Sequence, residues 1–309
     1  MKKLWVTGVS GLVGSHVAQQ AAGRFDALGV FQTFRPSRLS CRLESLDLTD
    51  ASAARAKLEA FRPDIIVHCA ALADADRAQR EPELARRLNV DATATLAQTA
   101  RQLGAKLVFL SSDLVFDGRK GAPYVEEDPP HPLSLYGQTK LDGERIVCAT
   151  GDRWVIARTS LVIGPSPRGN RALDEKLGLA LRAGRPLRLF VDEFRCPINA
   201  FDLAAAVLEL ADSPHNGVFH LVGSERLSRH EIGMRIAQRF GWPTATIEAA
   251  STRDVPMNPP RPADLTLDNS RARSVLKTKL RGLTETLEAL ARNSWGGFAP
   301  ACSTPLTSG

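Results

Sequence analysis

A short apolar run, Lys3–Thr7 (KLWVT), passes directly into three glycines spaced three apart, Gly8, Gly11 and Gly14, and then into a helical apolar pattern over 12–23. Few folds contain such a junction. A strand that turns through glycine into a helix aims that helix's free N–H groups and positive dipole end at whatever lies over the strand's carboxyl end. That is the setting a pyrophosphate needs, with one glycine for the tight turn and another for close backbone approach. A purely structural turn would look the same in isolation; the strand before and the helix after favour the phosphate reading. Gly8, Ser10, Gly11, Leu12, Val13 and Gly14 are therefore the first candidate cofactor residues.

The alternation continues. Strand-like runs occur at 28–34 (LGVFQTF), 64–70 (DIIVHCA), 105–111 (AKLVFLS) and 153–159 (RWVIART), with helical patterns at 51–61 and 81–104 between them. Asp50 is placed to cap the first of these helices and Gly104 to stop the second. Strands alternating with helices pair in parallel, so the spacing predicts an α/β fold with a Rossmann-like, doubly wound parallel sheet. Residues 160–200 are rich in Pro, Gly and Arg, after which 200–211 is again helical and 217–223 strand-like. The expected organisation is a nucleotide-binding domain from 1–160 plus 197–226 and a smaller, C-terminal substrate-binding lobe from 161–196 plus 227–293. The turn-rich segment 294–309 is expected to be a flexible tail.

Composition narrows the function. The net charge of +6 comes from 40 basic and 34 acidic residues with no basic run, which fits a small anionic ligand better than a nucleic acid. Five scattered cysteines without a C-x-x-C pair argue against a zinc site or disulfide framework, and for a reducing, cytoplasmic setting. No metal is expected. No signal peptide and no membrane span are read from the sequence.

The end of the second strand bears on the cofactor. An NAD site places an acid there for the ribose 2′-hydroxyl; here the chain reads TFRPSR, with Arg35 and Arg38. Guanidinium groups suit a 2′-phosphate, so NADP(H) is preferred, with NAD(H) as the alternative. Solvated loop arginines would look no different.

The chemistry concentrates in SLYGQTKLDGE, 134–144. On a helix Tyr136 and Lys140 lie one turn apart on one face. A phenol with a pKa near 10 is a poor acid or base at neutral pH; a nearby ammonium stabilises the phenolate and lowers that pKa. The phenol can then exchange a proton with a carbonyl or alcohol oxygen. Upstream, Ser112 ends a strand-like run and could share that oxygen.

A serine followed by Y-x-x-x-K, behind an N-terminal G-x-x-G-x-x-G, resembles the short-chain dehydrogenase/reductase superfamily in its extended branch. More narrowly, the chain resembles dTDP-4-dehydrorhamnose reductases and their sugar-nucleotide relatives. SSDLVFDG (111–118), YGQTKLDGE (136–144), RPDIIVHCAA (62–71), RTSLVIG (158–164) and RPADLTLD (261–268) correspond to motifs of that family. The resemblance implies Ser112, Tyr136 and Lys140 as catalytic residues, with Tyr136 the proton donor and Lys140 also orienting the nicotinamide ribose. It adds Asp47 and Leu48 against the adenine, and Cys69, Ala70, Ala71 and Asn89 along the cofactor. It places Ser112, Asp113 and Arg261 at the substrate, and Arg195, where the chain leaves the family pattern, is a further substrate candidate. A homodimer through the helices at 81–104 and 133–149 is expected on the same ground.

The chain departs from the family pattern at DEFRCPI (192–198), where Arg195 replaces a glycine and Ile198 a threonine. Arg195 could bind an anion or pair with Asp192 or Glu193; Arg261 and Asp264 could contact substrate or bridge their own loop. Cys196 reads as a small buried residue. The implied activity is NADP(H)-dependent reduction of a 4-keto sugar nucleotide or related carbonyl compound. The alternatives are an epimerase or dehydratase holding NAD tightly, and a non-catalytic NADP-binding regulatory subunit.

Overall fold

Seven parallel strands form the central layer in the computed structural model, which describes residues 1–255, 257 and 261–291. The first six in chain order are β1 (Lys3–Thr7), β2 (Asp26–Phe31), β3 (Arg42–Ser45), β4 (Ile65–His68), β5 (Lys106–Ser112) and β6 (Trp154–Thr159). The sheet order runs from the strand Gly217–His220 through β6, β5, β4, β1 and β2 to β3. Chain direction across the sheet therefore reverses between β1 and β4, the switch point at which such sheets open a crevice for ligands.

The helices are α1 (Leu12–Ala21), α2 (Ala51–Phe61), α3 (Ala75–Arg80), α4 (Pro82–Arg86), α5 (Ala92–Leu103) and α6 (Leu135–Cys148). Period-two alternation along β1 decides which face each covers. Leu4 and Val6 join an apolar cluster with Val17 and Ala18 of α1 and with Leu203 and Val207 of the helix Ala200–Asp212. Trp5, between them, joins the opposite cluster with Leu58 of α2, Leu96 of α5 and Val147 of α6. Both faces of the sheet are thus covered, which is why its strands carry unbroken apolar runs.

Local signals set several boundaries. The Asp50 side chain accepts the Ala53 N–H at 2.9 Å and caps α2, and Gly104 ends α5 in the left-handed region at φ 67°. The second strand begins and ends earlier than its apolar run, because its partners do: Asp26 pairs with Lys3 of β1, and Phe31 pairs with Ser45, the last residue of β3. The helix expected over 81–104 is not continuous; a π-helical turn, Arg87–Asp91, separates α4 from α5.

A third apolar cluster lies beyond the sheet layers. It joins Leu177 and Leu181 of the helix Leu173–Arg182, Ile232 and Ile236 of the helix Arg229–Arg239, Trp242, Leu283 and Leu287. The strand Leu187–Phe190 pairs in parallel with Ile247–Ala250 at its edge. The tail expected at 294–309 lies outside the described residues.

Candidate active site

The glycine turn closes as the spacing requires. Gly8 sits at φ 71°, and a Cβ there would stand 2.8 Å from the Ala70 backbone. Gly14 packs so closely that a Cβ would collide with the Gly8 carbonyl oxygen. Gly11 caps α1 without a side chain, leaving the first-turn amides of Leu12, Val13 and Gly14 without a side-chain acceptor from the cap. The cradle therefore has the shape and donor set a pyrophosphate needs.

The wall beside it is pinned by a buried polar chain. The Thr7 hydroxyl accepts N–H bonds from Cys69 and Ala70, each at 3.1 Å, and contacts His68 Nδ1 at 2.8 Å. His68 Nε2 lies 3.1 Å from the Thr93 hydroxyl, which itself donates to the Asn89 carbonyl at 2.7 Å. Donor counting then assigns the proton to Nε2, with Nδ1 accepting from Thr7. Burial, with the Lys140 charge adding to it, pushes the His68 pKa down to about 3, so the ring stays neutral. Burial raises the Cys69 thiol to about 12, which makes it an inert wall residue.

Asn89, on the π-helical turn, is fully enclosed. Its Oδ1 accepts the Leu72 N–H at 2.8 Å, and its Nδ2 donates to the Thr139 hydroxyl at 2.9 Å. Thr139 donates in turn to the Tyr136 carbonyl at 2.8 Å. One amide thus holds the loop carrying Cys69, Ala70 and Ala71 against the helix carrying Tyr136. A π turn spends one extra residue to aim a side chain, and such turns recur at functional sites.

Tyr136 and Lys140 are both buried on α6, 8% and 3% exposed, and Ser134 caps that helix through the Gly137 N–H at 3.1 Å. The Lys140 ammonium lies 3.9 Å from the centre of the Phe109 ring. Burial pulls its pKa down to about 7, against the opposing pull of Glu144. The Tyr136 phenol behaves differently from the sequence expectation. Burial and then the Asp113 charge raise its pKa, a Ser112 hydrogen bond opposing them. The dry surroundings and the carboxylate dominate. A phenol so held is protonated at neutral pH, the form that donates.

Ser112 ends β5 at the sheet's carboxyl edge. Its hydroxyl donates to Asp113 Oδ1 at 3.0 Å and accepts the Leu114 N–H at 3.2 Å, so it caps a turn. Asp113 accepts from the Ser160 hydroxyl at 2.6 Å, and burial raises its pKa against the lowering charge of Arg195.

Arg195 is buried and fully engaged. It pairs with Glu193 at 3.1 Å, approaches Asp113 at 3.7 Å, and donates to the carbonyls of Phe194 and Pro262 at 2.7 and 3.2 Å. Of the two ion-pair partners open to it from sequence, Glu193 is the one it takes; Asp192 faces the other way, toward Ser251 and Thr252. Arg261 points to Glu193 Oε2 at 3.8 Å. It does not bridge to Asp264, which takes Arg226 at 2.9 Å. Glu193 Oε2 is enclosed and makes no hydrogen bond, although Arg229 also lies near that carboxylate, 3.9 Å from Oε1. Arg229 carries no signal in the sequence as a site residue, and only the fold brings it and the Arg195–Glu193 pair to Asp113. Cys196 is buried, its thiol pushed up to about 11 by burial.

Asp47 turns on itself, accepting from the Thr49 N–H and hydroxyl at 2.9 and 2.8 Å. Leu48 is buried in the sheet cluster. Arg35 and Arg38 are exposed beyond β2, and among the described residues neither is in an ion pair. No group of three or more metal-ligating side chains occurs among the described residues.

This fold, with a glycine turn at its switch point and Ser112, Tyr136 and Lys140 at the adjoining edge, defines an extended short-chain dehydrogenase/reductase. More narrowly, the chain belongs to the family described as the RmlD substrate binding domain, which matches residues 1–294. It is 33% identical over 297 residues to methionine adenosyltransferase 2 subunit beta of Xenopus laevis, covering 93% of this chain and 87% of that one. It is 30% identical over 291 residues to the probable low-salt glycan biosynthesis reductase Agl14 of Haloferax volcanii, covering 93% and 96%. The crystal structure of a hypothetical dTDP-4-dehydrorhamnose reductase from Sulfolobus tokodaii is similar at TM-score 0.79 and 31% identity, covering 90% of this chain and 96% of that one.

Proposed function

We propose that the protein is an NADP(H)-dependent ketoreductase acting on a 4-keto sugar nucleotide, or a related carbonyl compound. The observation that carries the reading is Tyr136 buried on α6, one helical turn from the buried Lys140, with Ser112 ending β5 at the sheet's carboxyl edge. The residues that would hold the cofactor are the amides of Ser10, Leu12 and Val13, the side chains of Arg35, Arg38, Asp47 and Leu48, the Cys69–Ala71 wall, and Tyr136 with Lys140. When bound, the dinucleotide supplies a hydride. The chain's residues do the rest. Ser112 and Tyr136 hold the substrate carbonyl oxygen, and the Tyr136 phenol gives it a proton as the carbon is reduced. The Lys140 ammonium then stands behind the phenolate left by that transfer, which opposite charge favours. Asp113, Arg195 and Arg261 border the substrate cleft in this reading, which also divides the chain into lobes at 160, 197 and 226. A cytoplasmic homodimer through α5 and α6 goes with it, to be checked by light scattering; no helix among the described residues is long and apolar enough to cross a membrane.

The test is NADPH oxidation across a panel of 4-keto sugar nucleotides and simple ketones, with NADH in parallel. Turnover on a sugar nucleotide with NADPH preferred supports the proposal. Tight NAD retention with no net cofactor consumption would instead indicate an epimerase or dehydratase. The similarity to methionine adenosyltransferase 2 subunit beta favours a second reading, a regulatory subunit that binds NADP without turnover. NADPH binding with no turnover on any substrate would support that one.

A further inference from the structure

We propose that Arg168, carried by the loop after β6, completes the cationic site that reads the adenosine 2′-phosphate. The inference rests on the NADP(H) reading and extends it to a residue outside the nucleotide-binding sequence motifs. The Arg168 guanidinium lies 4.3 Å from the centre of the Phe34 ring. Phe34 stands three residues beyond the end of β2 and immediately before Arg35. A side chain from the far part of the sequence is thus placed at the strand end where the adenosine ribose is read.

The placement is built into the loop. Glu175 accepts four hydrogen bonds from it: Ser166 N–H at 2.6 Å, Ser166 hydroxyl at 2.6 Å, Arg171 N–H at 2.8 Å and Ala172 N–H at 2.9 Å. The Pro165 carbonyl meets His16 Nε2 at 2.9 Å, and His16 belongs to α1, the helix that starts at the glycine turn. Between these anchors the chain turns through Gly169, whose N–H returns to the Ser166 carbonyl at 3.1 Å. The loop is therefore tied to the phosphate-binding helix at one end and to a buried carboxylate at the other.

Its charge is unspent. Among the described residues Arg168, Arg35 and Arg38 make no ion pair. A guanidinium stacked on a ring keeps its N–H donors in its own plane, directed past the ring edge. That fork matches a phosphate in two-point contact, which a ribose hydroxyl cannot reciprocate. Stacking on Phe34 alone would be a weak, exposed cation–π contact.

The experiment is calorimetric titration of the full chain with 2′,5′-ADP and with 5′-AMP. Wild type should bind 2′,5′-ADP more tightly. Arg168→Ala should weaken 2′,5′-ADP about tenfold, the scale of one charged hydrogen bond, and leave 5′-AMP unchanged; Arg168→Lys should recover part of the loss. Unchanged binding of both probes by Arg168→Ala overturns the proposal and spares the NADP(H) reading. Equal weakening of both also overturns it, because Arg168 would then be shaping the loop. A wild type that does not distinguish the probes overturns the NADP(H) reading and this proposal together.

Discussion

Arg158 of β6 and Glu144 of α6 face each other through two parallel N–H···O bonds, 2.9 Å from Nε and 2.7 Å from Nη2, with both side chains sealed from solvent. Ser111 of β5 donates to the same carboxylate at 2.5 Å. The pair fastens the helix that carries Tyr136 and Lys140 to the two strands beneath it. It accounts for two of the family-motif positions, the Glu of YGQTKLDGE and the Arg of RTSLVIG, that have no evident chemistry of their own.

Removing one partner leaves the other charge buried without compensation, a loss of about 3–5 kcal/mol. Glu144→Ala should therefore lower the urea midpoint steeply, while Glu144→Gln, which keeps an acceptor, should cost less. Chemical denaturation of the two variants checks this. Equal, small shifts for both would mean the pair is not holding α6.

Tyr136→Phe removes the proposed proton donor and keeps the ring that packs beside Leu72 and Ala85. Dinucleotide affinity should fall far less than turnover, which should drop roughly 10²–10⁴-fold, the usual worth of a positioned acid. Fluorescence titration with steady-state kinetics separates the two effects; near-normal turnover would remove Tyr136 from the mechanism.

Gly14→Ala sets a methyl against the Gly8 carbonyl oxygen, where the backbone has little room to yield. The turn must open, costing about 1–3 kcal/mol, and the phosphate cradle changes shape with it. Nucleotide affinity should drop at least tenfold in calorimetry. Gly23→Ala is the control for a glycine with open space around it, and it should leave affinity intact despite the strain of its φ of 76°.

What could be read from sequence alone divides by range. The glycine turn, the Asp50 cap and the Gly104 stop depend on neighbours in the chain, and each formed where its residues predict. β3 is four residues long with no fully buried position, so it carries no apolar signal and only its pairing with β2 makes it a strand. The π turn is equally silent, because its cause is Asn89 reaching Leu72 and Thr139, residues 17 and 50 positions away. The partners of Arg195 were only half legible: Glu193 is two residues off, but Asp113 is brought in by the fold from the turn after β5. The tyrosine, lysine and serine could be named from their motif; the direction of the Tyr136 shift could not, since it depends on burial and on a carboxylate that spacing does not reveal.

Lys140 gives the last prediction, which concerns stability. Its folded-state pKa is depressed to about 7 from 10.5. Below the folded value both states are protonated, and the folded protein bears the full cost of a buried ammonium. Between about pH 7 and 10 the unfolded chain binds a proton the folded one has released, so this group makes stability rise with pH, by up to about 1.4 kcal/mol per unit. Lys140→Met should therefore be more stable than wild type at pH 7 and should lose part of the slope from pH 7 to 9. That window lies below the range in which the raised Tyr136 phenol titrates. Lys106, lowered to about 8 by burial, adds a rising slope of its own, but it is common to both proteins and drops out of the difference. Urea denaturation at several pH values measures it. Parallel curves for the two proteins would show that Lys140 is not a buried, depressed ammonium, and with it would go the argument that its charge is held in reserve for the Tyr136 phenolate.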